Sequence, residues 1–267
     1  MPKLIFKGKV YPLIAKTNFP EVDINWGTDD LGFPMNMQAV VHDSEIEVVC
    51  EIPNYDPAYT SKLLHRAYNL VEGCLDLAAF GHGLATWVVL ESVVKPDGTE
   101  DAIIRQDHKL ASLCTAIRFP PRNNIENFEF TKTLRLVFTE PELLASLRDL
   151  AEILLHPEVA PTNCGRVLDS LRKAVAPNIE KKKGWTILRG IVNADENYMN
   201  WVSVISTEPR HGHRTFEIPG RSVAEIRART WNVTNRFIEF RKGGSVELDR
   251  AKFPLLVHDP SFDLPKP

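Results

Sequence analysis

The sequence predicts an α+β protein, with an N-terminal antiparallel β-rich domain that contains one long helix and a C-terminal helical bundle. Three observations lead to this fold class. Apolar and polar residues alternate along much of residues 1–52, which is the period of half-buried strands. A single helical apolar stripe follows Asp56. Beyond residue 139, helix-start signals and apolar residues at three- and four-residue steps recur to the end of the chain.

The strands of the first domain are expected to form an antiparallel meander with one buried face. The candidate strands are residues 4–6, 10–14, 21–26, 35–41 and 45–52. The first two flank Lys7-Gly8-Lys9, a plausible hairpin with glycine in its turn. The last two are joined by His42-Asp43-Ser44. In the strand that follows, alternation places Ile46, Val48 and Cys50 on one face.

The long helix of this domain has recognisable start and stop signals. Asp56 can cap its N-terminus, Pro57 fits the first helical position, and Gly81 or Gly83 can end it. Its predicted inward residues are Leu63, Ala67, Leu70, Val71, Cys74, Leu77 and Ala78. Residues 84–94 and 102–104 then form a candidate strand pair around the turn Lys95-Pro96-Asp97-Gly98.

A cluster of breakers, Phe119-Pro120-Pro121-Arg122-Asn123-Asn124, predicts the domain boundary. We therefore expect a β-rich α+β domain over residues 1–124 and a helical bundle with a C-terminal tail over residues 125–267. The pattern over residues 128–138 fits either a strand or a linker.

The helices of the second domain are predicted from their caps and apolar stripes. Thr139 and Glu142, and again Ser222 and Glu225, have the spacing of a capping box. Asp195 can cap a further helix after a break near residue 193. The predicted helices run over 139–157, 162–175, 180–193, 195–207 and 222–242.

Composition narrows the class of protein. The chain has 267 residues, 43% of them hydrophobic and 25% charged, with a formal charge of −3, which is typical of a soluble globular protein. No apolar run reaches the roughly 18 residues of a membrane helix, and no signal peptide is evident, so we expect a cytoplasmic protein without a membrane partner. The four cysteines are widely separated, which favours free thiols over a zinc or redox motif. No nucleotide-binding or serine-hydrolase motif is present, and no cofactor is expected.

Positive charge is concentrated late in the chain. Residues 180–252 contain 14 Lys and Arg against 9 Asp and Glu, a net of +5, and the remainder carries −8. Such a contrast fits contact with nucleic acid or an acidic partner, and it also fits a solvated helical surface.

The sequence Arg210-His211-Gly212-His213-Arg214 could carry chemistry. Arginine can hold a phosphate bidentately, and imidazole can transfer protons near neutral pH. Together they could cleave RNA without a metal, by general acid–base catalysis of attack by the 2′-hydroxyl. The alternative is structural, because cations after a helix C-terminus also stabilise its exposed carbonyls. No carboxylate or third histidine stands at a metal-ligand spacing, so no metal site is expected.

Several segments resemble the HEPN-type helical domains of uncharacterised bacterial proteins. They are Tyr198-Met199-Asn200-Trp201 leading to Arg210-His211-Gly212, the sequence from Arg236 to Arg241, and Phe253-Pro254-Leu255-Leu256. The resemblance covers roughly residues 140–257 and implies a helical bundle that dimerises. It also implies either a ribonuclease of toxin–antitoxin or phage-defence type or a protein that only binds RNA or a partner. Active members have an arginine and a histidine four to six residues apart, whereas His211 follows Arg210 directly.

The predicted roles follow from this resemblance and from the last helix. Arg210 and His211 are the candidate catalytic residues, and Arg214 is a candidate phosphate ligand. Arg229, Asn232 and Arg236 share a helix face and could follow an RNA backbone, or the face could be solvated with a Glu225–Arg229 ion pair. The alternative function is a non-catalytic adaptor that forms a homodimer or binds a partner protein.

Overall fold

The computed structural model describes residues 1–13, 16–26, 34–83, 86–103, 107–116, 128–210 and 220–263. The chain divides into two compact units, Met1–Ile104 and Arg105–Pro267. The first contains a β-sheet and one long helix, and the second is helical, which confirms the predicted α+β class.

The sheet of the first unit has six antiparallel strands in the order β2-β3-β4-β1-β5-β6. Their bounds are β1 Lys3–Tyr11, β2 Phe19–Trp26, β3 Met35–His42, β4 Glu45–Glu51, β5 Trp87–Val94 and β6 Glu100–Ala102. β3 and β4 form the predicted hairpin. Asp43 and Ser44, which have φ of 50° and 71°, form its two-residue turn, because positive φ at both positions matches the twist of the strands.

Gly8 is not in a turn, and the predicted hairpin at residues 7–9 is wrong. β1 runs through this position as one strand, and its register against β5 shifts between Lys7 and Gly8. A Cβ on Gly8 would lie 2.1 Å from the carbonyl oxygen of Val89. The glycine is therefore required for a close approach of two backbones, which is another common use of glycine within a strand.

The helix α1, Thr60–His82, packs against β3, β4 and β5 and covers the core of the first unit. It follows a 3₁₀ turn capped by Asp56, whose carboxylate accepts from the Ala58 N–H, and it ends before Gly83, which has a φ of +65°. The predicted stripe holds as far as Cys74, which is partly buried against the core. Leu77 is 73% exposed, and Leu75 is buried instead.

On the other face of the sheet, three lysines of β1 are ion-paired with glutamates. The Nζ atoms of Lys3, Lys7 and Lys9 lie 2.7, 3.5 and 3.7 Å from carboxylate oxygens. The partners are Glu51, Glu100 and Glu45 respectively. This arrangement is typical of a solvated sheet face with alternating charge.

The second unit contains seven described helices. They are α2 His108–Leu113, α3 Phe128–Thr139, α4 Pro141–Leu155, α5 Ala160–Val175, α6 Lys181–Val192, α7 Glu196–Arg210 and α8 Gly220–Lys242. α5 contacts α4, α6, α7 and α8, and its residues Val167, Leu168 and Leu171 are fully or almost fully buried. Residues 128–138, for which a strand or a linker was expected, are helical.

Two predicted capping boxes do not form. Thr139 is the last residue of α3, and its hydroxyl donates to the Leu136 carbonyl, so α4 begins after Glu140 without a side-chain cap. Ser222 is buried inside α8, which begins two residues earlier, and Glu225 is bonded to Arg229 instead. Asp195 does cap α7, because its carboxylate accepts from the Tyr198 N–H.

The segment 107–116 belongs to the helical unit, so the compact division falls before the predicted boundary at residues 124/125. Asp107 lies 3.0 Å from the guanidinium of Arg227, and the N–H groups of Thr115 and Ala116 donate to Asn235 of α8. The breaker cluster itself lies outside the described residues. The four cysteines are free, as predicted, and Cys50 and Cys164 are buried. None of the described helices is both long and apolar enough to cross a membrane.

Candidate functional site

The predicted catalytic corner lies at the junction of α7 and α8. Arg210 is the last residue of α7, and its side chain lies outside the described residues, as do His211 and Arg214. Their catalytic and phosphate-binding roles therefore stay predictions. The helices that flank the corner are described and pack against each other, so both ends of the corner are held by the helical core.

The first residues of α8 add positive charge to the corner between α7 and α8. The first turn of α8 contains no acidic residue, and Arg221 is exposed with no ion pair among the described residues. The free N–H groups of a helix start also carry a partial positive charge. Residues 208–221 contain three arginines against Glu208 and Glu217, which leaves a net charge of +1. The junction thus favours an anion.

Arg229 lies in the interior of the helical unit, with 1% of its surface exposed. Its Nε donates to Glu225 Oε1 at 2.7 Å, and its Nη1 donates to the Tyr198 carbonyl at 3.3 Å. The guanidinium carbon lies 4.8 Å from the ring centroid of Tyr198 and 4.3 Å from that of Trp201. Such stacking stabilises a buried cation. Burial also raises the pKa of Tyr198 to about 12.

A histidine that the sequence did not single out completes this cluster. His258 Nδ1 lies 2.8 Å from Arg229 Nη1, and its Nε2 lies 2.9 Å from Asp263 Oδ1. Because a guanidinium can only donate, Nδ1 accepts, and the imidazole proton therefore lies on Nε2. The His258 N–H donates to Asp195, the residue that caps α7. Arg229 and Asp195 thus fasten residues 253–263, the C-terminal segment, to α7 and α8.

Arg236, two turns after Arg229 on α8, binds the same C-terminal segment. Its Nη1 donates to the carbonyls of Pro254 at 2.7 Å and Val192 at 3.0 Å, and lies 3.2 Å from that of Asn193. The residue is 6% exposed, and burial lowers the pKa of its guanidinium. Carbonyl oxygens at a helix end and in an extended segment supply the acceptors that a buried guanidinium needs.

These positions correct the prediction that Arg229, Asn232 and Arg236 form an RNA-binding face on α8. Arg229 and Arg236 do share a helix face, but this face meets the C-terminal segment and α7 rather than the surface. Asn232 is half-buried and lies near the Tyr198 hydroxyl. The Glu225–Arg229 pair forms as in the alternative interpretation, although the surrounding face is buried, not solvated. Both arginines therefore have a structural role.

A second basic surface, which the sequence did not reveal as a site, lies where α5 ends and α6 begins. We call Lys173, Lys181, Lys182 and Lys183 the lysine cluster. All four are exposed, and none has an ion pair within the described part of the chain. The only available signals in the sequence were three consecutive lysines and the net charge of the region.

A small crevice connects the lysine cluster to α7. Its volume is about 30 Å³, and Lys181, Trp185, Asp169, Ser203 and Ser206 contribute to its walls. The Arg172 guanidinium lies 5.7 Å from the ring centroid of Trp185, one of these wall residues, and its Nε has no hydrogen-bond partner among the described residues. The crevice therefore places Lys181 beside the two serines of α7, with Asp169 in the same wall.

Two family models match this two-unit α+β protein. Residues 4–104 match the N-terminal domain, and residues 130–242 the C-terminal domain, of the domain of unknown function DUF8168. Together the matches cover most of the chain, which belongs to the DUF8168 family. Neither description names an activity. Comparison with curated proteins gave no match, and comparison with solved structures gave none.

Proposed function

We propose that the protein is RNA-associated and that its helical unit binds the phosphate backbone at the corner between α7 and α8. The observation that carries this proposal is the positive character of the junction: Arg210 ends α7, Arg221 is exposed and unpaired among the described residues, and α8 begins without an acidic residue. Phosphate contacts dominate the affinity of proteins for nucleic acids, and helix starts are favourable places for them.

In its finer form, the proposal is a HEPN-like, metal-independent endoribonuclease of defence or toxin type. Arg210 holds the phosphate, Arg214 neutralises its charge, and His211 takes the proton of the 2′-hydroxyl. The 2′-oxygen then bonds to phosphorus while the bond from phosphorus to the 5′-oxygen breaks. The departing oxygen takes up a proton, which leaves a 2′,3′-cyclic phosphate and a 5′-hydroxyl.

The test is cleavage of total RNA by the purified full chain in the presence of a chelator. We expect fragments with cyclic phosphate ends, and loss of cleavage in both Arg210→Ala and His211→Ala. The double variant Arg250→Ala/His42→Ala is a matched control, because it removes the same residue types from exposed positions. Cleavage that persists in the Arg210 and His211 variants would assign the activity elsewhere.

A cellular version of the test addresses the defence or toxin role. Induced expression of the natural chain in bacteria is expected to arrest growth and to produce RNA fragments with the same ends. Expression of the Arg210→Ala or His211→Ala chain at equal level is expected to leave growth unchanged. Equal growth arrest by the natural chain and by both variants would contradict a ribonuclease toxin.

A second candidate function is a non-catalytic adaptor that forms a homodimer through the helical unit. The observation that favours it is an exposed apolar pair on α3, where Leu134 is 40% and Phe138 is 70% exposed. The two residues are one helical turn apart and so lie on the same face. We expect a dimer by light scattering that dissociates in Phe138→Lys. A natural chain that is monomeric at high concentration would exclude this adaptor.

A further inference from the structure

We propose that the lysine cluster is an RNA-docking surface that guides the phosphate backbone along α7 to the corner at Arg210. The inference rests on the RNA-associated function proposed above and identifies a second, separate part of the interface. It assigns no chemistry to the lysines. Their task is to hold the strand, and cleavage remains at the corner.

The first support is that these charges have no ion-pair partner among the residues that the structure describes. The lysines of β1 are each paired with a glutamate, whereas the lysine cluster has no such partner within the described part of the chain. Unpaired surface lysines that lie together produce a positive potential. A polyanion would release its counterions there, which is the main source of non-specific affinity for nucleic acids.

The second support is that the lysines occupy an unfavourable place for helix stability. α4 and α7 begin with an acidic residue in the first turn, Glu142 and Glu196, as the helix dipole favours. α6 begins with Lys181–Lys183 and has no side-chain cap. Departures from such local rules are concentrated at functional sites. A bound phosphate chain would remove the repulsion.

The third support is a buried arginine below the same turn. Arg172 is 8% exposed and packs against Gly184, where a Cβ would lie 3.2 Å from its Cγ. The carboxylate of Asp169 lies 3.7 Å from the Arg172 Nε, beyond hydrogen-bond distance. The two residues form an ion pair, so the contribution of Arg172 is to hold the first turn of α6, which carries the lysines, through its packing against Gly184.

The fourth support is continuity with the candidate catalytic corner. Lys181 shares the walls of the crevice with Ser203 and Ser206 of α7. Arg210 follows Ser203 by seven residues, or two turns, so that its backbone lies about 10 Å further along the same side of the helix. Ser206 is fully buried and its hydroxyl donates to the Ser203 carbonyl, so half-buried Ser203 is the serine of this wall that can donate to a phosphate oxygen between the lysines and the corner. A phosphate chain is therefore favoured over a flat anionic membrane, which would not follow one helix.

The experiment compares two triple variants of the full chain. Lys181→Gln/Lys182→Gln/Lys183→Gln removes three charges from the lysine cluster, and Lys3→Gln/Lys7→Gln/Lys9→Gln removes three paired charges from β1. Binding of a labelled single-stranded RNA is measured over a range of salt concentrations. We expect the first variant to bind at least about 10-fold more weakly, with a salt slope smaller by about 2, at roughly 0.7 per lost phosphate contact. The β1 variant should bind like the natural chain.

The outcomes separate this inference from the proposed function. Weaker binding only in the α6 variant supports the docking surface even if no RNA is cleaved. Equal binding by both variants and the natural chain overturns the docking surface, while cleavage dependent on Arg210 and His211 would still stand. Vesicles of phosphatidylserine are a further arm. Binding to these vesicles, lost in the α6 variant, without RNA binding would assign the surface to a membrane and overturn the inference.

Discussion

The burial of Arg236 leads to a quantitative prediction about the C-terminal segment. Arg236→Met keeps most of the side-chain volume but removes the donor to the carbonyls of Pro254, Val192 and Asn193. Nη1 has two protons, so the two shorter bonds, at 2.7 and 3.0 Å, carry most of the energy. Each charge-assisted bond contributes about 1.5–3 kcal/mol, and the carbonyls would remain buried without a partner. We expect the helical unit to lose about 3–5 kcal/mol.

Two measurements test this prediction together. Urea unfolding followed by far-UV ellipticity reports the free energy of unfolding, since most of the helix lies in the second unit. Hydrogen exchange measured by mass spectrometry reports local opening. In Arg236→Met, we expect exchange to increase relative to the natural chain, and to increase more in residues 253–263 than in α5. Arg250→Met is the matched control. Arg250 is exposed in an ion pair with Glu247, so its loss should cost less than about 1 kcal/mol.

A loss of stability in Arg236→Met no greater than in Arg250→Met would refute this role of Arg236. The role would also be refuted if exchange in residues 253–263 were unchanged, because the segment would then be held by other contacts. Arg236→Lys refines the interpretation. One ammonium on a shorter stem cannot reproduce the planar guanidinium, so we expect an intermediate loss of stability.

Three further predictions concern stability. Gly8→Ala should destabilise the first unit by at least about 3 kcal/mol in urea unfolding, because its Cβ would lie 2.1 Å from the Val89 carbonyl oxygen. The control Gly73→Ala meets nothing within 4 Å and should be neutral or stabilising. Equal effects of the two substitutions would contradict the close approach at Gly8. Burial raises the pKa of Asp149, so the folded chain holds this proton more tightly than the unfolded chain, and the stability contributed by the group falls as the pH rises through the folded pKa. Asp149→Asn should therefore be no less stable at neutral pH, and its stability should vary less as the pH rises above the usual range of an aspartate pKa. A loss above about 1 kcal/mol at neutral pH would refute this. Finally, the triple glutamine variant at 181–183 should gain about 1 kcal/mol from relief of the helix dipole, and a lower unfolding midpoint in urea would show that the lysines stabilise the fold.

Local patterns determined much of the fold. The alternation of apolar and polar residues was sufficient to predict β2, β3 and β4. Apolar stripes between helix breakers were sufficient to predict α4 to α8, because each of these signals lies within one element. The Asp195 cap was predictable for the same reason. The role of Gly8 was not predictable, because a glycine can serve either in a turn or where two backbones approach closely. Only the neighbouring strand β5 distinguishes the two roles. Thr139 also failed as a cap, because α3 extends through it.

The candidate site shows more clearly which features the sequence predicts and which depend on the tertiary structure. From the sequence, Arg229 and Arg236 lie on one face of a helix that begins near Ser222, and this was correct. Whether that face meets RNA, water or protein depends on acceptors from Val192, Pro254 and His258, which are remote in the chain and are mostly backbone atoms. The chain order thus determined the elements and their apolar faces, because helix and strand periods are local. Only the tertiary structure decided which cations are buried and which, such as Lys181–Lys183, stay exposed, because that depends on which distant segments fold against each charge.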